Sequence, residues 1–89
     1  MDVHRRKLRY RAWHRGFREA DLILGPFADA HVEAMSPDQL AAFEDLLEQP
    51  DQDLYEWIVE AAEPPPTVDG DLLAMIRSFR HSARHAFGR

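Results

Sequence analysis

Apolar residues recur along most of the chain at intervals of three and four, the spacing of amphipathic α-helices. A first segment runs from about His4 to His14, a second covers residues 17–34, and a third and a fourth begin near Ser36 and Asp51. No stretch alternates with the period of a β-strand. The pattern predicts an all-α bundle of about five short helices, forming a single domain over residues 1–89. The buried faces are predicted to carry Ala20, Ile23, Leu24, Phe27, Ala30, His31 and Ala34; Leu40, Phe43, Leu46 and Leu47; Leu54, Trp57, Ile58 and Ala61; and Leu72, Met75, Ile76 and Phe79.

Polar residues and prolines mark where these helices begin and end. Ser36 is predicted to cap the third helix, with Pro37 in the first turn and Gln39 completing a capping box. Asp51 is predicted to cap the fourth helix. The pair Gly25-Pro26 interrupts the second pattern and could split that helix in two, because a proline inside a helix loses one hydrogen bond.

The end of the chain combines a proline-rich connection with a basic tail. Residues 63–67 contain three consecutive prolines and are predicted to form a stiff, extended linker. A last helix is predicted to follow Asp69 and to end soon after Arg80, leaving a flexible Arg/His-rich tail from about residue 81. His81 and His85 have a spacing that suits a metal only if a third ligand converges. We expect no metal site.

The net charge of −5 conceals a strong segregation of charge along the chain. Seven of the eleven basic residues lie between Arg5 and Arg18, whereas Glu19 to Asp71 contain fifteen acidic residues and no lysine or arginine. This asymmetry predicts a basic first helix, an acidic body and a partner with its own charge pattern. The acidic body would repel a phosphate backbone, so no nucleic-acid partner is expected.

The sequence offers little that a catalytic or cofactor site requires. There is no cysteine, no serine in a nucleophile-elbow pattern and no glycine-rich dinucleotide fingerprint. We therefore predict a protein that is not an enzyme and that binds no cofactor stably. No apolar run approaches the ~20 residues that cross a bilayer. Without membrane insertion or a secretory signal, a cytoplasmic location is expected.

One charged, glycine-containing motif stands where the basic segment meets the acidic body: Arg15-Gly16-Phe17-Arg18-Glu19, followed by Asp21. Arg15 can donate several hydrogen bonds from its guanidinium group to a carboxylate or to carbonyls. Gly16 can adopt a positive φ or allow another backbone to approach closely. If the backbone is helical here, Arg15 and Glu19 share one face.

This motif, with several others in the same order, resembles the SdhE-type FAD assembly factors of succinate dehydrogenase. Trp13 lies just before it and Pro26-Phe27 after it. The later patterns are Phe43-x-x-Leu46-Leu47 and Asp51-x-Asp53-Leu54-x-x-Trp57. The resemblance extends from about Arg5 to Phe79, nearly the whole chain. It implies a five-helix bundle.

The resemblance also implies a partner and a role. Proteins of this type bind the flavoprotein subunit of succinate dehydrogenase, and often that of fumarate reductase, and promote covalent attachment of FAD to a histidine of that subunit. The motif implies partner-binding residues at Arg15, Gly16, Glu19 and Asp21, and Arg18, which lies within it, is also predicted to bind the partner. The chain would act as an assembly chaperone in the bacterial cytoplasm and would be a monomer when free.

Two other classes stay open at this point. One is a helical protein that binds nucleic acid through its basic first helix, against which the acidic body argues. The other is an antitoxin-like or regulatory module that binds an unrelated protein. Identification of the bound partner separates these classes from an assembly factor.

Overall fold

The structure, a computed structural model, describes residues 2–86, and side chains as far as residue 82. Within that range it contains five α-helices and no strand. The predicted all-α fold of about five short helices is confirmed. The helices are α1 (Val3–Trp13), α2 (Arg18–His31), α3 (Pro37–Leu47), α4 (Asp51–Ile58) and α5 (Gly70–Ala86), and a short 3-10 helix, Val32–Ala34, follows α2.

Helix α2 lies at the centre of the bundle. It packs against α1 on one side and against α4 and α5 on the other, while α3 contacts α1 and α5. The predicted core aromatics Phe43 and Trp57 are buried, at 0% and 7% exposure. The buried core consists of Leu8, Ala12, Ala20, Leu24, Phe27, Ala28, Val32, Met35, Leu40, Phe43, Leu46, Leu47, Leu54, Trp57, Ile58, Leu72, Leu73 and Ile76.

A cluster of rings around Phe27 joins α2 to α3 and α5. The Phe27 ring meets Phe43 and Phe79 edge-on, each at a centroid distance of 5.7 Å. His31 lies 4.8 Å from Phe27 and is half-buried, as predicted from its place on the apolar face. Edge-to-face aromatic pairs contribute roughly 0.5–1.5 kcal/mol beyond area burial, so this cluster fixes the packing of three helices.

The start of α3 is built as predicted, whereas the start of α4 is not. The Ser36 hydroxyl accepts from the Gln39 N–H at 3.2 Å, and the Gln39 side-chain oxygen accepts from the Ser36 N–H at 2.9 Å. In α4 the capping position belongs to Pro50 and Asp51 is the first helical residue. The Asp51 carboxylate is bound instead by an arginine from the turn before α2.

The predicted break at Gly25-Pro26 is wrong, because α2 runs through Pro26 without interruption. A helical residue before proline normally clashes through its Cβ, and Gly25 has none. The N–H that Pro26 lacks would have bonded the carbonyl of Leu22, on the exposed side of the helix, where water can bind it instead.

Two other helix ends differ from the prediction. Helix α4 ends at Ile58, and Ala61, predicted to be buried, is exposed. Glu60 adopts a φ of 65°, a left-handed conformation that usually marks glycine after a helix. Helix α5 continues to Ala86, beyond the expected end after Arg80. Residues 87–89 of the predicted flexible tail lie outside the described residues.

The connection between α4 and α5 contains a turn as well as extended backbone. The Val68 N–H donates to the carbonyl of Pro65 at 3.1 Å. Asp69 then caps α5 by accepting from the Leu72 N–H at 2.9 Å.

Two alanines of the predicted second apolar face, Ala30 and Ala34, are exposed, because that face is centred on Leu24 and Phe27.

Gly25 has a packing role that the sequence did not reveal. A Cβ built on Gly25 would lie 2.6 Å from the indole carbon Cε3 of Trp13, far inside normal contact distance. The missing side chain therefore lets the Trp13 indole of α1 lie directly on the backbone of α2.

We expect Gly25→Ala to destabilise the protein by about 1–3 kcal/mol, because the rigid indole must move to admit the methyl group. Gly70→Ala is the matched control, since nothing lies within 4 Å of a Cβ at Gly70. Thermal unfolding followed by circular dichroism measures both variants. Equal melting temperatures for Gly25→Ala and Gly70→Ala would show that Trp13 does not rest on Gly25.

Candidate functional site

Residues 14–17 form the turn that joins α1 to α2, and the sequence motif lies on it. Gly16 has a φ of +90°, the conformation that its place in the motif suggested. It is exposed, and no heavy atom lies within 4 Å of the position a Cβ would take. Another protein can therefore approach the backbone at Gly16 without displacing any side chain of this one.

The Arg15 side chain points into the protein and is only 8% exposed. Its Nε donates to Asp51 Oδ1 at 2.8 Å, and its two terminal nitrogens donate to the carbonyls of Leu47 and Gln49, each at 2.6 Å. The guanidinium group therefore closes the end of α3 and the start of α4. Such a planar group with several donors suits this task better than a lysine ammonium.

The condition for Arg15 and Glu19 to share a helical face is not met. Helix α2 begins at Arg18, so Arg15 lies outside the helix and its side chain turns towards α3 and α4. Glu19 lies in the first turn of α2 and is exposed.

Two further contacts hold the turn in place. The Asp21 carboxylate accepts from the backbone N–H of Arg15 at 3.1 Å, and Asp21 is half-buried. The Phe17 ring meets Tyr55 of α4 edge-on at a centroid distance of 5.3 Å. The turn is thus attached to the α3–α4 connection, to α2 and to α4, so its shape is fixed before any partner binds.

The outward side of the turn consists of Gly16, Arg18 and Glu19, with Leu22 one helical turn further on. We call these four residues the turn surface. All four are exposed, and the apolar side chain of Leu22 is 56% exposed. Within the part of the chain whose side chains are described, neither Arg18 nor Glu19 has an ion-pair partner.

Leu22 was missed from the sequence, although a signal for it was present. It falls outside the apolar face predicted for α2, on the same side as Glu19. Leu22 lies three and four positions after Glu19 and Arg18, and this spacing places the three side chains next to one another on the helix.

Most cations of α1 are matched by carboxylates of the same chain. Arg9 lies 3.8 Å from Asp29, and Arg11 donates to Glu48 at 3.0 Å. The N–H and guanidinium groups of Arg5 bind the Asp2 carboxylate and lower the pKa of that carboxyl group. The segregation of charge along the sequence therefore serves in part to hold α1 against α2 and α3.

Arginines also close the ends of other helices. Arg5 donates to the carbonyls of Val32 and Met35, at 3.1 and 2.7 Å, where the 3-10 helix ends. Arg77 of α5 donates to the carbonyl of Trp57 near the end of α4, at 3.0 and 2.7 Å. Arg15 performs the same task at the end of α3, and in each case the guanidinium group adds hydrogen bonds to carbonyls at a helix end.

Among the described residues, no group of three or more histidines, aspartates or glutamates is placed to hold a metal ion. His85 of the histidine pair lies beyond the last described side chain. No helix in the described range is long and apolar enough to cross a membrane.

The bundle and its turn define a small all-α protein with one preformed, exposed glycine turn. The chain belongs to the Sdh5 family, described as flavinator of succinate dehydrogenase, which matches residues 6–80. This family membership agrees with the resemblance seen in the sequence.

Three similar proteins illustrate the relationship. A mitochondrial succinate dehydrogenase assembly factor 2 from Dictyostelium discoideum is 37% identical over 73 residues, which are 82% of this chain and 52% of that protein. The FAD assembly factor SdhE of Acetobacter pasteurianus is 41% identical over 58 residues, 65% of this chain and 53% of that protein. A mitochondrial succinate dehydrogenase assembly factor 2 from Komagataella phaffii is 40% identical over 65 residues, which are 73% of this chain and 34% of that protein. The chain thus spans about half or less of these relatives.

Proposed function

We propose that this chain is an assembly factor that binds the flavoprotein subunit of succinate dehydrogenase and promotes covalent attachment of FAD to a histidine of that subunit. The observation that carries the proposal is the family match over residues 6–80, which includes the whole turn. The names of the relatives, assembly factor 2 and FAD assembly factor, support the same role. The flavoprotein of fumarate reductase is proposed as a second partner.

The turn surface is the proposed contact. Gly16 allows the partner's backbone to approach, and Arg18 and Glu19 offer charges that have no ion-pair partner among the described side chains. Charge-assisted hydrogen bonds from Arg18 and to Glu19 are roughly twice as strong as bonds between neutral groups.

Arg15 and Asp21 were expected from the sequence to bind the partner, and we propose a different role for them. Arg15 bonds to Leu47, Gln49 and Asp51, and Asp21 bonds to the Arg15 backbone. We propose that these two residues position the turn surface and that Gly16, Arg18 and Glu19 touch the partner.

The chain is proposed to act by binding alone, without catalysing the attachment and without holding FAD stably. A factor that binds one conformation of the flavoprotein more tightly shifts the population towards that conformation. A tenfold preference corresponds to about 1.4 kcal/mol. If the favoured conformation places the flavin ring beside its acceptor histidine, the intramolecular reaction is faster because the groups are already oriented.

The structure weighs against a role in nucleic-acid binding. Carboxylates of α2 and α3 already pair with cations of α1, and a phosphate backbone would have to displace them or lie beside them. No observation favours an antitoxin-like or regulatory role. The cytoplasm stays the proposed compartment.

Deletion of the gene tests the proposed function. We expect the flavoprotein subunit to lose most of its covalent flavin while its polypeptide is still made. The reason is that attachment of FAD depends on this chain, whereas synthesis of the subunit does not. In-gel flavin fluorescence and an immunoblot of the same band give the two quantities. Restoration of fluorescence by the wild-type chain is the control, and unchanged fluorescence in the deletion strain contradicts the proposal.

A further inference from the structure

The outward face of α1 carries apolar and basic side chains together. Val3, Arg6, Lys7, Tyr10 and His14 follow one another at helical spacing, and we call them the α1 face. Val3 and Tyr10 are 57% and 65% exposed. With Leu22 they are the large hydrophobic residues that the described part of the chain leaves exposed. The α1 face contains a shallow groove, which is lined by Val3, Arg6, Lys7, Tyr10 and Arg11.

Arg6 and Lys7 differ from most other cations of α1. Arg5, Arg9 and Arg11 are each paired with a carboxylate of this chain. Arg6 and Lys7 are exposed and, as far as side chains are described, have no such partner. Two unmatched cations between two exposed apolar groups suit a ligand that is both acidic and partly apolar.

Carboxylates border this face and limit the width of what can bind. Asp29 lies on the α2 side, at 49% exposure, and Glu44 and Glu48 lie on the α3 side, at 44% and 62% exposure. A broad anionic surface such as a membrane would be brought against these carboxylates. A narrow segment of protein, one helix or one strand wide, would meet only the cations at the centre.

The α1 face is continuous with the turn surface. The Tyr10 ring lies 4.2 Å from the ring of His14, and His14 directly precedes Arg15 and Gly16. A partner seated on Gly16 would therefore lie next to Tyr10, at one end of the α1 face.

We propose that the α1 face is a second part of the docking surface and receives an acidic, partly apolar segment of the flavoprotein subunit. Arg6 and Lys7 bind carboxylates of that segment, and Val3 and Tyr10 cover its apolar side chains. This inference rests on the proposed function, since it assigns the segment to the same partner.

The test measures the affinity of the full-length chain for purified flavoprotein subunit at several salt concentrations. For Arg6→Gln/Lys7→Gln we expect binding about tenfold weaker and less sensitive to salt, because two partly exposed ion pairs are lost. Tyr10→Ala should weaken binding severalfold through lost apolar contact. Ala74→Glu/Ser78→Glu is the control, since it makes the same change in net charge at two exposed positions of α5.

Each outcome has a distinct meaning. Wild-type affinity and salt dependence in the double variant, with binding abolished by Gly16→Arg, overturn the role of the α1 face and leave the proposed function intact. Failure of the wild-type chain to bind the subunit overturns both. Binding of the wild-type chain to phosphatidylserine vesicles that is lost in the double variant, while subunit binding is unchanged, assigns the face to a lipid surface and also overturns the inference.

Discussion

Gly16→Arg is expected to abolish capture of the flavoprotein subunit while leaving most of the protein folded. Gly16 is exposed, and apart from its two chain neighbours nothing lies within 4 Å of the position of a Cβ, so an arginine side chain there can extend into solvent. The φ of +90° costs a non-glycine residue roughly 1–2 kcal/mol. A small domain with about 5–10 kcal/mol of stability tolerates that loss. At a close contact, however, the bulky charge would be buried without a partner, at a cost of several kcal/mol.

Two companion variants separate the backbone effect from the surface effect. Gly16→Ala introduces a similar backbone strain with a minimal side chain, and we expect it to lower stability while much of the binding by folded protein is kept. Gly70→Arg adds the same charge at another exposed glycine with open surroundings, and we expect it to bind like wild type. Circular dichroism and pull-down on the same samples measure both properties. Full capture by folded Gly16→Arg would show that the partner does not approach the turn.

Arg15→Ala is expected to lower stability by about 3 kcal/mol, because it leaves two carbonyls and one carboxylate without their donor. For a domain of this size such a loss lowers the melting temperature by roughly 12–24 °C. Arg15→Lys should recover little of it, since one ammonium group cannot reach Leu47, Gln49 and Asp51 with the geometry of a guanidinium.

Arg18→Ala is the matched control for Arg15, because Arg18 is in the same motif but exposed. We expect its stability to stay within about 0.5 kcal/mol of wild type, with weaker binding of the flavoprotein. Thermal melts and binding of the folded fraction therefore distinguish a positioning residue from a contact residue. If Arg15→Ala melts like wild type but no longer binds, Arg15 is a contact residue and the assignment made here is wrong.

The helical content and much of the core were predictable because they depend on local rules. The spacing of Leu40, Phe43, Leu46 and Leu47 places four side chains on one face of any helix, and all four are buried. The capping box at Ser36 involves residues three apart, so it too can be read from the sequence. The continuity of α2 was harder to foresee, since it depends on Gly25 relieving the clash that Pro26 would otherwise impose.

The tertiary roles of arginine and glycine could not be read from local spacing. Arg15 reaches Leu47, Gln49 and Asp51, more than thirty positions along the chain. The local sequence suggested Glu19 as a partner of Arg15, because the two residues are four positions apart. Gly25 likewise appeared only as a neighbour of Pro26, and its contact with Trp13 became visible when α1 was placed across α2.

The sequence motif therefore marked the turn but did not divide its residues into roles. The motif placed the turn at the junction of two helices, and its glycine has the expected positive φ. Exposure then separates Gly16, Arg18 and Glu19 from the more buried Arg15 and Asp21. It also adds Leu22, whose position off the apolar face is the kind of exception that a helical pattern can reveal.

The most direct test of the central claim is the rate of covalent flavin attachment with purified components. FAD-free flavoprotein subunit is incubated with FAD, alone or with this chain, and the fluorescence of the denatured subunit band is followed with time. If this chain promotes flavin attachment through the turn surface, we expect faster attachment with the wild-type chain and with Gly70→Arg, and no acceleration with Gly16→Arg. No acceleration by the wild-type chain, or equal acceleration by folded Gly16→Arg, would contradict it.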